Sequence, residues 1–197
     1  MTRSEQKRLD IIKAAKEEFI HHGFIAANMD RLCSTAQVSK RTLYRHFESK
    51  EGLFESVLTV IQSSIDETIS YSFDSDRSVQ EQLITIINKE ADSIYNTCGI
   101  PLARTILLEF LRQPEMARKL IASLYSTKAV TKWFSAAMAA GKMKQTDLNV
   151  ITTIYTSLFQ GSLFWPQVIA QEPIPQGEEL DQKIETVVLV LLSAFEV

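Results

Sequence analysis

NMDRLCSTAQVSKRTLYRHFESKEGL, residues 28–53, reads as two short helices separated by a tight turn. Asn28 and Ser39 each stand where a side-chain oxygen can accept from the first free N–H groups of a helix, predicting helices over 29–36 and 40–46. In the first, Met29, Leu32, Cys33 and Ala36 recur at i, i+3, i+4 and i+7, an apolar stripe. Cys33 and Ala36 are small enough to let the second helix cross closely, with Val38 in the corner. At about 100° per residue, Leu43 and Phe47 fall on one side of the second helix and Arg41, Thr42 and Arg45 on the other. Lys40 and Tyr44 flank that polar face on one side and His46 on the other. Such a face can hydrogen-bond phosphates and reach base edges, and Arg pairs bidentately with guanine O6 and N7. The second helix is therefore expected to read double-stranded DNA.

The same residues resemble the DNA-binding signature of the TetR/AcrR family of transcriptional regulators. The resemblance rests on Gly23-Phe24, Met29, Leu32, Cys33, Ala36, Val38-Ser39, Thr42-Leu43-Tyr44, His46-Phe47, Ser49-Lys50 and Leu53, and covers roughly the first quarter of the chain. Gln37 departs from it where Gly is usual; a left-handed turn there costs a non-Gly residue about 1 kcal/mol. Asn28 replaces the usual Thr and caps equally well. Asn28, Ser39, Lys40, Arg41, Thr42, Tyr44, Arg45, His46 and Lys50 are the expected DNA contacts, Lys50 from the positively polarised start of the next helix.

A chain of 197 residues can bury a sizeable core. Sparse Gly and Pro, without β-type alternation, point to an all-α protein. Cys33 and Cys98 form no CxxC and fit a reducing cytoplasm, no signal peptide is evident, and the longest apolar run, 187–192, is too short to span a bilayer. The formal net charge of −3 hides an asymmetry: residues 1–55 hold ten Lys or Arg against eight Asp or Glu, and the remainder eleven against sixteen. Positive charge and all three histidines lie toward the N-terminus, so a nucleic-acid footprint there is local.

Working outward, a first helix is predicted over 4–22 with Ile12, Ala15 and Phe19 inward and Gly23 ending it. Ser49 caps a long helix over 50–71 that the resemblance casts as a lever between head and body. Further helices are predicted over 79–97, 101–112, 114–140, 148–170 with a break or kink at Pro166, and 180–195. The expected architecture is a three-helix helix-turn-helix head, residues 1–48, and a six-helix ligand-binding and dimerisation body, residues 49–197. The last two helices have apolar surface to spare for an isologous homodimer, which two half-sites about one helical turn apart also require.

The resemblance implies a cavity in the body for a small, largely apolar effector, and Tyr95, Arg104, Glu109, Phe110, Trp133, Phe134, Phe159 and Trp165 are the candidates to line it. His21, His22 and His46 do not share a face, and no Glu-x-x-His pair accompanies Glu90, Asp92 or Glu109, so neither a metal nor a cofactor is expected. No nucleophile has a base at useful spacing, which argues against an enzyme. The expected function is a transcriptional regulator, by family habit a repressor, released from a palindromic operator by its effector. A DNA-binding adaptor controlled by a protein partner is the first alternative and a helical enzyme the second.

Overall fold

The computed structural model describes residues 2–68, 70–115, 117–118 and 128–197. Among them the chain is all-α, its one β-type contact being the isolated bridge between Met143 and Glu196. The elements are α1 (Arg3–Ala26), α2 (Met29–Thr35), α3 (Lys40–His46), α4 (Lys50–Thr68), α5 (Val79–Asp92) running into a π-helical turn (Ser93–Cys98), α6 (Ile100–Arg112), α7 (Lys128–Ala139), α8 (Leu148–Leu163), the single turn α9 (Trp165–Val168) and α10 (Glu178–Phe195). Two compact units result: residues 1–64 with 101–124, and residues 65–100 with 125–197.

In the first unit, α1 starts with a capping box between Thr2 and Glu5 and is broken by Gly23, whose φ of 70° is open to glycine at little cost. The break turns Phe24 back onto the Phe19 and Phe54 rings, at centroid distances of 5.7 and 5.1 Å, and Phe19 meets Phe54 edge-on at 5.1 Å. Ile11, Ala15, Leu32, Leu43, Leu53 and Leu58 complete this small core. Helix α6 belongs to the same unit: Thr105 donates from Oγ1 to the Phe19 carbonyl, and the Arg112 guanidinium lies over the Phe24 ring.

The second unit is built on α5, α7, α8 and α10, with α10 against both α5 and α8 and α7 against α8. Its core holds Leu83, Ile87, Trp133, Phe134, Ile151, Tyr155, Val187 and Leu191 among others. Gln82 ties the incoming loop to this core: its amide accepts from the Trp133 indole N–H and the Asp74 N–H and donates to the Asp74 carbonyl. A buried amide satisfied from both ends fixes the loop without leaving an orphaned polar group.

Several boundaries differ from the sequence expectation. Helix α4 ends at Thr68 rather than 71, and α5 leaves α-geometry at Asp92, closing through a π-turn in which Gly99 N–H reaches the Ile94 carbonyl at 2.9 Å. The break expected at Pro166 comes earlier, at Phe164, because proline lacks an N–H and its ring excludes the carbonyl one turn before it. The described residues of 114–118 are helical, and Leu120 and Leu124 of the expected 114–140 helix lie outside the described residues.

Candidate nucleic-acid interface

The two N-caps and the turn between the helices read from the 28–53 stretch are present. Asn28 Oδ1 accepts from the N–H groups of Asp30 at 2.7 Å and Arg31 at 3.4 Å, and Ser39 Oγ accepts from Thr42 N–H at 3.2 Å. Gln37 takes φ 52°, the left-handed turn for which glycine is better suited. Leu32, Cys33 and Leu43 are buried between the helices, and burial pushes the Cys33 thiol up, the inert state of a packed cysteine. With α3 anchored by Leu43 and Phe47, Arg41, Tyr44 and Arg45 project into solvent and Thr42 is half-buried beside them.

The flanking residues are more committed. Lys40 Nζ pairs with Asp30 Oδ1 at 2.8 Å, tying α3 to α2 at the surface. The hydroxyls of Ser39 and Thr42 are 3.0 Å apart. Asn28 is engaged as a cap, and its own N–H donates to Glu18 Oε1 at 2.7 Å. Glu18 is buried; burial would push its carboxyl up, but hydrogen bonds from Arg31 and from the Asn28 backbone hold it below the usual range. The Arg31 guanidinium reaches both carboxylate oxygens, at 2.6 and 3.2 Å, a bidentate clamp that sets the angle between α1 and α2.

Two expected DNA contacts are placed elsewhere. His46 Nε2 is buried with no hydrogen-bond partner among the described residues, facing into the head rather than outward. Lys50 donates to the carbonyls of Ile25 and Ala27, both at 2.9 Å, and sits over the Phe24 ring at 5.0 Å, its ammonium pushed down by burial. These are carbonyls left open where α1 ends, and Lys50 closes them as a cation at a helix C-terminus. Lys50→Met is accordingly expected to lower the melting temperature by several degrees, through the loss of about 1–3 kcal/mol of charged hydrogen bonding. Its weakening of DNA binding should vanish at low temperature, where the variant is folded; calorimetry beside a binding isotherm checks both.

In the body, the effector candidates are distributed over both units. Arg104, Glu109 and Phe110 lie on α6 in the first unit, where buried Glu109 receives Arg112 at 2.6 and 3.1 Å and also Gln113. Trp133, Phe134 and Phe159 belong to the second unit's core, in a run of ring contacts from Phe73 through Trp133, Phe134 and Tyr155 to Phe159. Tyr95 donates from Oη to the Leu163 carbonyl at 2.6 Å, and Trp165 meets Phe164 edge-on at 4.7 Å. An open depression of about 430 Å³ lies between α8 and α10, lined by Gly161, Ser162, Pro166, Glu179, Gln182 and Lys183, none of them among the candidates.

The family model described as "Bacterial regulatory proteins, tetR family" matches residues 11–57, and that described as "AefR-like transcriptional repressor, C-terminal domain" matches residues 81–197, more than half of the chain. The chain belongs to the TetR family. That family is one of DNA-binding transcriptional regulators rather than enzymes. A solved TetR-family regulator from Pseudomonas syringae pv. tomato superposes with a TM-score of 0.83 at 28% identity over all of both chains. The flavonoid-responsive regulator FrrA does so at 0.76 and 26% identity over 98% of each. Curated relatives match in the head: the transcriptional activator FasR of Mycolicibacterium smegmatis is 39% identical over 66 residues, 34% of this chain and 29% of that protein. UidR of Escherichia coli K12 is 39% identical over 57 residues, 29% of each. The chain thus matches less than a third of the length of these two relatives.

Within this TetR-family chain, the sequence reading passed over Glu90, Tyr71 and Tyr155 as a group. Tyr155 Oη donates to Glu90 Oε2 at 2.6 Å across 65 residues of chain, and Tyr71 faces the same carboxylate. Burial raises Glu90 to about 7, the two tyrosines pulling the other way. The only sequence signal was an acidic residue beside Ala91 on an otherwise amphipathic helix, which reads equally well as solvated surface. No helix among the described residues is long and apolar enough to cross a membrane.

Proposed function

We propose that the protein is a homodimeric repressor that reads a near-palindromic operator through α3 and leaves it when the body takes up a small, largely apolar effector. The observation that carries the reading is the exposed row of Arg41, Tyr44 and Arg45, with Thr42 beside them, on a short helix capped by Ser39 and anchored by Leu43. Lys40, Ser39 and Asn28 border this face as backbone contacts, and Lys50 and His46 support it from within. Repression is favoured by the description of the family matched over 81–197, and a small-molecule effector by FrrA, which is named flavonoid-responsive. A DNA-binding regulator of this kind works in the cytoplasm.

Dimerisation is assigned to the outer faces of α8 and α10, where Val150, Ile154, Leu189 and Val190 are exposed apolar side chains beside a well-filled core.

The test is selection of bound duplexes from a random pool with the purified full-length protein at two salt concentrations. Enrichment of a near-palindrome is the expected result and supplies the operator for effector screening. Binding that falls steeply with salt and enriches no sequence would reduce α3 to phosphate contacts and overturn sequence-specific reading.

A further inference from the structure

Glu90, Tyr155 and Tyr71 come from α5, α8 and the stretch before α5, and meet inside the second unit beside its run of aromatic rings. A carboxylate has about four acceptor positions, and the described residues give this one a single well-formed hydrogen bond, from Tyr155. No Lys, Arg or His among the described residues forms an ion pair with it. Tyr71 Oη is buried and faces the same carboxylate as a neutral donor, so a charged N–H donor in its place makes the stronger hydrogen bond. A desolvated anion is costly unless a cation or further donors reach it. The rings next to it, Tyr155 stacked with Phe159 at 6.2 Å and edge-on to Phe134 at 5.7 Å, present the apolar and π-rich surface that organic cations favour.

We infer that this group is a binding site for an organic cation, a ligand whose protonated nitrogen meets the Glu90 carboxylate in the place of the Tyr71 side chain and whose apolar part lies against the aromatic run. The inference rests on the proposed effector reading and narrows it to one ligand class. It also gives a pH dependence. The groups facing Glu90 among the described residues are Tyr155 on α8 and Tyr71 before α5, both held neutral by burial and by the nearby carboxylate, so Glu90 alone titrates near neutrality. An ammonium ligand requires Glu90 ionised; its affinity is full well above pH 7 and falls as pH drops through that value.

The experiment uses the full-length protein with three probes of matched apolar body: phenethylamine, phenethyl alcohol and phenylpropionate. Binding is read by calorimetry, and operator release separately by the anisotropy of a labelled selected duplex. Phenethylamine is expected to bind at least tenfold tighter than the alcohol, to weaken about fivefold from pH 7 to pH 6, and to lose its advantage in Glu90→Gln. Helical circular dichroism and operator binding check that this variant is folded; should it not be, the pH profile and the amine-to-alcohol ratio of the unaltered protein decide. Equal binding of amine and alcohol, or no binding of the amine, overturns the cation site. Release of operator by the alcohol or the carboxylate, unchanged in Glu90→Gln, overturns it too and leaves the effector reading standing. Glu90-dependent amine binding without operator release supports the site and overturns its role as effector.

Discussion

Replacing Arg41 and Arg45 together by alanine is expected to weaken binding to the selected operator about a thousandfold while leaving the fold intact. Both side chains are exposed on α3 and make no contact that the head needs, so their removal leaves the Leu43 and Phe47 anchors untouched. A bidentate Arg–guanine pair is worth about 1–3 kcal/mol. In a dimer each substitution occurs twice, so even ~1 kcal/mol per lost contact gives ~4 kcal/mol, close to three decades in Kd. Fluorescence anisotropy on operator and on a scrambled duplex checks the result. Operator affinity should fall to the level of the scrambled duplex; an unchanged ratio between the two would remove Arg41 and Arg45 from the reading face.

Leu189→Glu is expected to convert the proposed dimer to a 22.3 kDa monomer and, with it, to abolish detectable operator binding. Leu189 is 69% exposed at the second turn from the end of α10, next to Val190, and its removal costs the second unit's core nothing. In an isologous interface the new carboxylate is buried twice, without a counter-charge, a penalty of several kcal/mol per ion. Loss of the partner then removes the second half-site from the same binding event, and with it the avidity of two linked contacts. Leu108→Glu on α6 is the matched control: Leu108 is 68% exposed, outside the proposed interface, and its substitution should leave the dimer unchanged. Light scattering coupled to size exclusion distinguishes the two variants. A dimeric Leu189→Glu protein would move the interface away from the outer face of α10.

How much of this was legible beforehand depended on the distance over which each signal acts. The helix pair at 29–46 could be read because caps and apolar spacing act within a few residues: Asn28 caps residues two and three positions on, and Ser39 one three positions on. Gly23, Gly99 and Gly141 likewise end their helices at positive φ, a preference of the residue itself. Trp133, Phe134 and Phe159 were visible as large apolar residues at helical spacing, but that pattern is common to a filled core and a lined cavity, and here they pack ring against ring.

The sequence by itself therefore determined the all-α class, the capped helix-turn-helix, the exposed Arg41 and Arg45 and the family. Only the tertiary structure decided that Lys50 closes the end of α1 from 25 residues away, that His46 turns inward, that α6 shares a unit with the head, and that Glu90 lies against Tyr155 from 65 residues away. The physical reason is that a charged side chain can serve a phosphate, a carbonyl or a buried partner with the same local sequence. Desolvation by residues distant in the chain selects among them, and it is a property of the packed fold.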